Sequence, residues 1–219
     1  MNSRILAIDT TGDYGSIALG PEEVLLHAPG GFSGVIFEHI QDLLDRAGMR
    51  LSDIDVFAAA AGPGSFTGVR VGLACVKGLA EATAKKAVAV SNLAALATFG
   101  SAALRVPIID ARRGEVYAAM YDASGTAIVP ETVCRFPVLL ERLPSSPFEF
   151  ICRNFAPFQD SLAGTPFARY PVVEAPPAIA AAVARLAGQR LDAGDSGDPA
   201  ALDANYVRRS DAELLFKPW

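Results

Sequence analysis

Hydrophobic positions fall in short blocks along the chain, and the spacing inside each block predicts its structure. Residues 4–10 (R-I-L-A-I-D-T) form a near-continuous apolar run of strand length. Thr11-Gly12-Asp13 follows as a turn, Ser16–Leu19 returns as a second strand, and Val24–Ala28 comes after the turn Gly20-Pro21-Glu22. After Pro29-Gly30-Gly31, Ser33 is read as the N-cap of a helix running to about Arg46 and stopped by Gly48. Its Ile36, Ile40, Leu43, Leu44 and Ala47 keep the three-and-four spacing of one apolar face. Asp55–Ala61 predicts a fourth strand, Gly62–Gly68 a loop, and Val69 to about Ala84 a second helix. Val88–Val90 is a short strand, and Ser91 caps a helix to about Ala103.

The pattern then begins again. Val106–Asp110 is a strand, Ala111-Arg112-Arg113-Gly114 a turn, and Glu115–Tyr121 the returning strand. I-L-A-I-D-T-T-G and P-I-I-D-A-R-R-G both end an apolar strand on an aspartate before a glycine-containing turn, a weak internal repeat. Residues 124–176 are broken repeatedly by proline, with strand-like pieces such as Phe148–Cys152 between. Ala178–Arg190 predicts an amphipathic helix with Ile179, Val183 and Leu186 on one face. Asp192–Asp198 reads as an exposed acidic loop, and the end from Asn205 to Trp219 is apolar enough to dock on the body or on a partner. The division expected is a first lobe over 1–104 and a second over 105–219.

Composition narrows the class. The 219 residues are 51% hydrophobic, which excludes a disordered chain. The net charge is −5, and neither half is basic: seven basic against ten acidic residues in 1–104, twelve against fourteen in 105–219. A chain so charged is a poor grip for phosphate backbones, so any nucleic acid would be held by something else. Cys75, Cys134 and Cys152 are widely spaced, which gives neither a disulfide framework nor a zinc site. With no secretory leader and no apolar run near the ~20 residues that span a bilayer, a soluble cytoplasmic α/β protein without a membrane contact is expected.

The loop Gly62-Pro63-Gly64-Ser65-Phe66-Thr67-Gly68 is the most informative local feature. A strand, a glycine loop and a helix in succession can aim free N–H groups at an anion; the plainer reading is a tight turn with close helix packing. No Lys-Ser or Lys-Thr closes a Walker loop. Gly68 and Gly72, four apart with Gly78 beyond, flatten one side of the second helix and favour a helix–helix interface, within the chain or with a partner. Asp9, followed by Thr10, and Asp110 each carry two readings: a ligand for magnesium or phosphate, or a turn-initiating aspartate bonded to its own backbone. Arg112 and Arg113 are read either as an anion site or as a solvated turn. His27 and His39 lack the spacing of a metal pair, and no nucleophile elbow occurs.

Three segments in order, I-L-A-I-D-T-T at 5–11, G-P-G-S-F-T-G-V-R-V-G-L at 62–73 and I-D-A-R-R-G-E-V-Y at 109–117, strongly resemble the TsaB (YeaZ) family of bacterial proteins needed to make threonylcarbamoyladenosine in tRNA. N-Y-V-R at 205–208 is similar to the Tyr-x-Arg element near the family's C-terminus. Where members usually open the first helix with His-Ser, this chain has Phe32-Ser33-Gly34, so no role carries over to that position. The resemblance implies the two-lobed fold of actin, Hsp70 and sugar kinases (ASKHA): duplicated hairpin-led mixed sheets flanked by helices. In that fold Asp9, Thr10, Gly62, Gly64, Ser65, Asp110, Arg112 and Arg113 would face a vestigial nucleotide cleft. It further implies a non-catalytic subunit that binds and activates the catalytic TsaD, with a TsaE-like ATPase nearby and tRNA reached only through the complex. No cofactor or metal would be required by this chain, while the resemblance leaves room for ATP or ADP and a divalent metal in the complex. The implied interface is the pair of first-lobe helices, assigned to Ile36, Ile40, Leu43, Leu44, Gly68, Val69, Gly72, Leu73 and Val76, and a charge at Gly72 is expected to block the partner while sparing the fold. Other readings are an ATP-dependent phosphotransferase or ATPase using Asp9 and the Gly62–Gly64 loop, a metalloprotease, which lacks the ligands, and a homodimer formed through the same helices when the partner is missing.

Overall fold

A computed structural model describes residues 3–208. The order of elements is the same in each half: three strands, a helix, a strand, a helix, a strand, a helix. The first half runs β1 (Ile5–Asp9), β2 (Gly15–Leu19), β3 (Glu22–Leu26), α1 (Ile36–Ala47), β4 (Val56–Ala60), α2 (Phe66–Thr83), β5 (Lys86–Val90) and α3 (Asn92–Ala97). The second runs β6 (Leu104–Asp110), β7 (Glu115–Asp122), β8 (Ala127–Arg135), α4 (Phe136–Glu141), β9 (Glu149–Cys152), α5 (Gln159–Leu162), β10 (Val172–Glu174) and α6 (Ala180–Asp192). The two five-stranded sheets have equivalent orders, β3-β2-β1-β4-β5 and β8-β7-β6-β9-β10, with antiparallel hairpins and parallel pairs at the same places. The duplication hinted at by the two aspartate-ended strands extends through the whole fold, and the architecture is the two-lobed ASKHA-like one.

Side-chain alternation explains the layers. Leu6, Ile8, Phe57 and Ala59 project from one face of the first sheet and pack with Ile36, Ile40, Leu43 and Leu44 of α1 and Val69, Leu73, Val76 and Ala80 of α2. The opposite face carries mainly small residues, Ala7, Ala18, Ala58 and Ala60 among them, and receives Ala180, Ala182, Val183 and Ala187 of α6. In the second sheet, Val106, Ile108, Val116 and Phe150 pack with Phe136 and Leu139 of α4 and Leu162 of α5. Leu93 and Ala97 of α3 meet Ala119 and Tyr121 of β7 on its other face. The last helix of each half is therefore lent to the other half's sheet. This corrects the contiguous division at 104/105, because packing assigns α3 and α6 across that line.

Several boundaries shift for local reasons. Gly20 takes a positive φ of 60°, so the β2–β3 turn is tighter than expected and β3 starts at Glu22. Phe32–Gly34 is a separate 3-10 turn that buries Phe32, and Ser33 makes no cap; α1 starts at Ile36. Ser65, not a residue beyond the glycine loop, caps α2, its Oγ accepting from Gly68 N at 3.3 Å. Ser91 does cap α3, but that helix stops at Ala97 in a tightened turn (Phe99 N to Leu96 O, Gly100 N to Ala97 O), after which the buried Glu149 carboxylate accepts from the N–H groups of Ser101 and Ala102. Within the proline-broken stretch, β8 is nine residues long and contains Pro130, which an edge strand tolerates. The apolar end beyond Arg208, with Arg209, lies outside the described residues.

Candidate functional site

The parallel strands β1 and β4 end side by side, and their loops are sewn together. Ser65 N donates to Thr11 O at 2.8 Å, and Thr10 Oγ1 donates to Gly68 O at 2.6 Å. A Cβ at Gly64 would lie 2.7 Å from Thr11 O, and one at Gly68 would overlap the Thr10 carbonyl. These glycines permit the chain to lie on itself; they do not open a cradle for an anion. Asn92 extends the seam, its Oδ1 accepting from Gly62 N at 3.0 Å and its Nδ2 donating to Thr11 Oγ1.

Between the lobes lies a cleft of about 710 Å³, lined by Gly12, Gly64, Ser65, Asp110, Arg112, Arg153 and Glu174, among others. Asp9 stands behind its floor, fully buried. Oδ1 accepts from Thr11 N (2.9 Å) and Thr11 Oγ1 (2.6 Å), and Oδ2 accepts from Arg153 Nη2 at 2.5 Å. Arg153 follows β9, so this ion pair joins the lobes. Asp110, the duplicate of Asp9, makes the same turn bond, accepting from Arg112 N at 2.7 Å. Arg112 and Arg113 take positive φ values of 64° and 57° and sit at the surface; Arg112 reaches Asp110 at 3.5 Å and Asp13 at 3.9 Å.

A second seam lies at the rim. Glu131 of β8 accepts from Tyr121 OH at 3.0 Å, Asn205 Nδ2 at 2.5 Å and Ser91 Oγ. Asn205 N donates to Ala61 O at 2.8 Å, and Arg208 pairs with Glu115. The Tyr206 hydroxyl accepts from Arg70 Nε at 3.0 Å, and the Arg70 guanidinium lies 3.7 Å from the Phe66 ring centroid. The N-Y-V-R element thus ties α2, the glycine loop and the second sheet. Of these residues Arg153, Glu131 and Asn92 carried no readable sequence signal, since their partners lie 144, 74 and 81 residues away.

The nine residues assigned to partner contact need correction. Ile36, Ile40, Leu43, Leu44, Val69, Leu73 and Val76 are buried against this chain's own first sheet. Gly68 and Gly72 are buried too, and a Cβ at Gly72 would stand 2.8 Å from Thr10 Oγ1. Gly68 and Gly72 serve an internal contact, whereas Gly78, expected on the same side, lies on the opposite and open arc; a charge at Gly72 would attack the fold itself. An amphipathic helix spends its apolar arc on its own sheet first. The outward arcs carry Phe37, Glu38 and Gln41 on α1 and Phe66, Thr67, Arg70, Ala74 and Gly78 on α2.

The chemistry available is limited. Burial pushes the Cys75 thiol up to about 11 and Cys152 up to about 12, so neither is a ready nucleophile at neutral pH. No group of three His, Cys, Asp or Glu side chains gathers among the described residues. The fold family implies nucleotide with a divalent cation in the cleft, and the residues do not fit that group. Asp9 is buried with both oxygens engaged, and the glycine loop spends its open positions on Thr10 and Thr11. Among the described residues, no helix is long and apolar enough to cross a membrane.

Residues 30–153 match the family model described as TsaD: tRNA N6-adenosine threonylcarbamoyltransferase. The chain is 36% identical over 160 residues to the tRNA threonylcarbamoyladenosine biosynthesis protein TsaB of Escherichia coli K12, covering 68% of this chain and 69% of that protein. It is 37% identical over 124 residues to TsaB of Bacillus subtilis 168, covering 53% and 54%. The solved YeaZ structure from Pseudomonas aeruginosa superposes with a TM-score of 0.79 at 28% identity, covering 93% of this chain and 99% of that one. The duplicated fold, the sewn glycine loop and these likenesses agree: the chain belongs to the TsaB (YeaZ) family of tRNA threonylcarbamoyladenosine biosynthesis proteins.

Proposed function

We propose that this chain acts as a non-catalytic subunit in making N6-threonylcarbamoyladenosine in tRNA, binding and activating a TsaD-like catalytic subunit through the outward faces of α1 and α2. The observation that carries this reading is the outer arc of α2. Thr67, Ala74 and Gly78 lie there at spacings of seven and four, opposite the buried arc of Gly68, Val69, Gly72, Leu73, Val76 and Ala80. Small side chains on an exposed arc allow a partner helix to approach closely. Phe37 (59% exposed) and Phe66 (49% exposed) supply apolar anchors beside it. In the absence of the partner, the same arc would pair isologously with a second copy of this chain.

The closed surroundings of Asp9 support the absence of chemistry in this chain, so nucleotide, metal and tRNA contacts would belong to the TsaD-like and TsaE-like subunits. The work would take place in the cytoplasm. Reconstitution tests the reading. Transfer of the threonylcarbamoyl group to tRNA is measured with the TsaD-like subunit and the ATPase from the same organism, with and without this chain. Transfer should depend on the chain, and the chain alone should yield no modified tRNA. Equal transfer without it would reject the activator role.

A further inference from the structure

We propose that Arg153 is a tethered cation that takes the place of a divalent metal at Asp9, closing the cleft to metal-bound phosphate and tying the lobes together. Asp9 is fully buried, and a buried carboxylate needs a counter-charge. Arg153 supplies it at 2.5 Å from the opposite lobe, while the turn N–H and hydroxyl of Thr11 hold the other oxygen. Gly12 makes room for the guanidinium: a Cβ there would lie 2.7 Å from Arg153 Nη1. Arg153 Nε is buried without a hydrogen-bond partner among the described residues, so Asp9 is the group that holds the cation in place.

The duplication provides an internal control. Asp110 makes the same turn bond as Asp9, yet its side chain is 29% exposed and faces its own Arg112 at 3.5 Å. At the strand end corresponding to Arg153, the first half carries only Ala59, Ala60 and Ala61. One aspartate of the pair is thus sealed by a residue from the other lobe, and its duplicate is not.

Thermal unfolding of the full chain tests this with four proteins: wild type, Arg153→Gln, Asp9→Asn and the double variant. Each is measured in EDTA, Mg²⁺, Mn²⁺ and Mg²⁺ with ADP. Wild type should be indifferent to all additions. Arg153→Gln should melt lower by on the order of 10 °C, since the Asp9 charge is left buried and unpaired. Asp9→Asn should lose less, because the Arg153 side chain is 25% exposed, and the double variant should recover most of the Arg153→Gln loss. Mn²⁺ or Mg²⁺ should raise the melting temperature of Arg153→Gln but not of the double variant, a response that a merely structural ion pair would not show. If Arg153→Gln does not fold, Arg153→Lys keeps the charge and should melt between wild type and Asp9→Asn. Stabilisation of wild type by Mg²⁺ with ADP that disappears in Asp9→Asn would overturn the proposal. So would an Arg153→Gln variant with wild-type stability and no response to metal. Partner binding is read separately on the α2 face, so failure here and failure of the subunit role are distinguishable.

Discussion

Gly68→Ala and Gly78→Ala place the same methyl group on the same helix and should move stability in opposite directions. At Gly78 a Cβ meets nothing within 4 Å, so alanine contributes only its helix propensity, about 1 kcal/mol. At Gly68 the new Cβ overlaps the Thr10 carbonyl oxygen and lies 2.9 Å from its carbon and 3.2 Å from Thr11 Cα. All three are backbone atoms, so no rotamer change relieves the overlap. Moving α2 away stretches the 2.6 Å bond from Thr10 Oγ1 to Gly68 O. Overpacking costs about 1–3 kcal/mol or more, and the strained hydrogen bond about 1 kcal/mol. Against at most about 1 kcal/mol of propensity, the net is a loss of about 1–3 kcal/mol. For a chain of this size each kcal/mol moves the midpoint by roughly 2–4 °C. Thermal unfolding followed by circular dichroism should show Gly68→Ala lower by about 2–12 °C and Gly78→Ala higher by about 2–4 °C. Stabilisation by both would refute the placement of the glycine loop on Thr10 and Thr11.

Further predictions concern charge, the rim seam and the strained turn. Arg4 donates to the Asp55 carboxylate from Nε (3.0 Å), Nη2 (3.0 Å) and the backbone N–H (2.9 Å), which holds the Asp55 carboxyl down at about 2. A folded-state pKa below the unfolded value adds stability above the usual 3.8 that is lost as pH falls toward 2. Asp55→Asn should therefore melt below wild type at pH 6, and the gap should close between pH 4 and pH 2. Glu131→Ala removes the acceptor shared by Tyr121, Ser91 and Asn205, leaving Asn205 Nδ2 only its 3.3 Å bond to Gly62 O, and should cost about 2 kcal/mol or more in urea unfolding. Arg112→Ala and Arg113→Ala should stay within about 0.5 kcal/mol of wild type, since both side chains are exposed. Arg113→Gly should gain up to about 1 kcal/mol by relieving its positive φ of 57°; a loss in the same unfolding assay would reject that strain.

Local pattern carried the strands, the Ser91 cap and the aspartate-ended repeat, because each is decided within a few residues. The direction in which Gly68 and Gly72 face was not legible, since glycine spacing is the same whether the flat side meets Thr10 or a partner. Pro130 disguised β8, because proline's missing N–H matters only if that side of the strand is paired, which depends on its place in the sheet. The crossing of α3 and α6 between sheets depends on tertiary packing of alanine-lined faces. Arg153 had no signal, since nothing near residue 153 marks it as the counter-ion of an aspartate 144 residues earlier.

The central claim is that partner binding uses the outer arc of α2 while the side carrying Gly68 and Gly72 belongs to the fold. Size-exclusion chromatography with light scattering on mixtures with the TsaD-like subunit tests it most directly, with Ala74→Glu as the probe. Wild type should form a one-to-one complex. Ala74→Glu, on the exposed arc, should keep its melting temperature and fail to form that complex. A complex formed equally well by Ala74→Glu would contradict the account and move the interface off this helix.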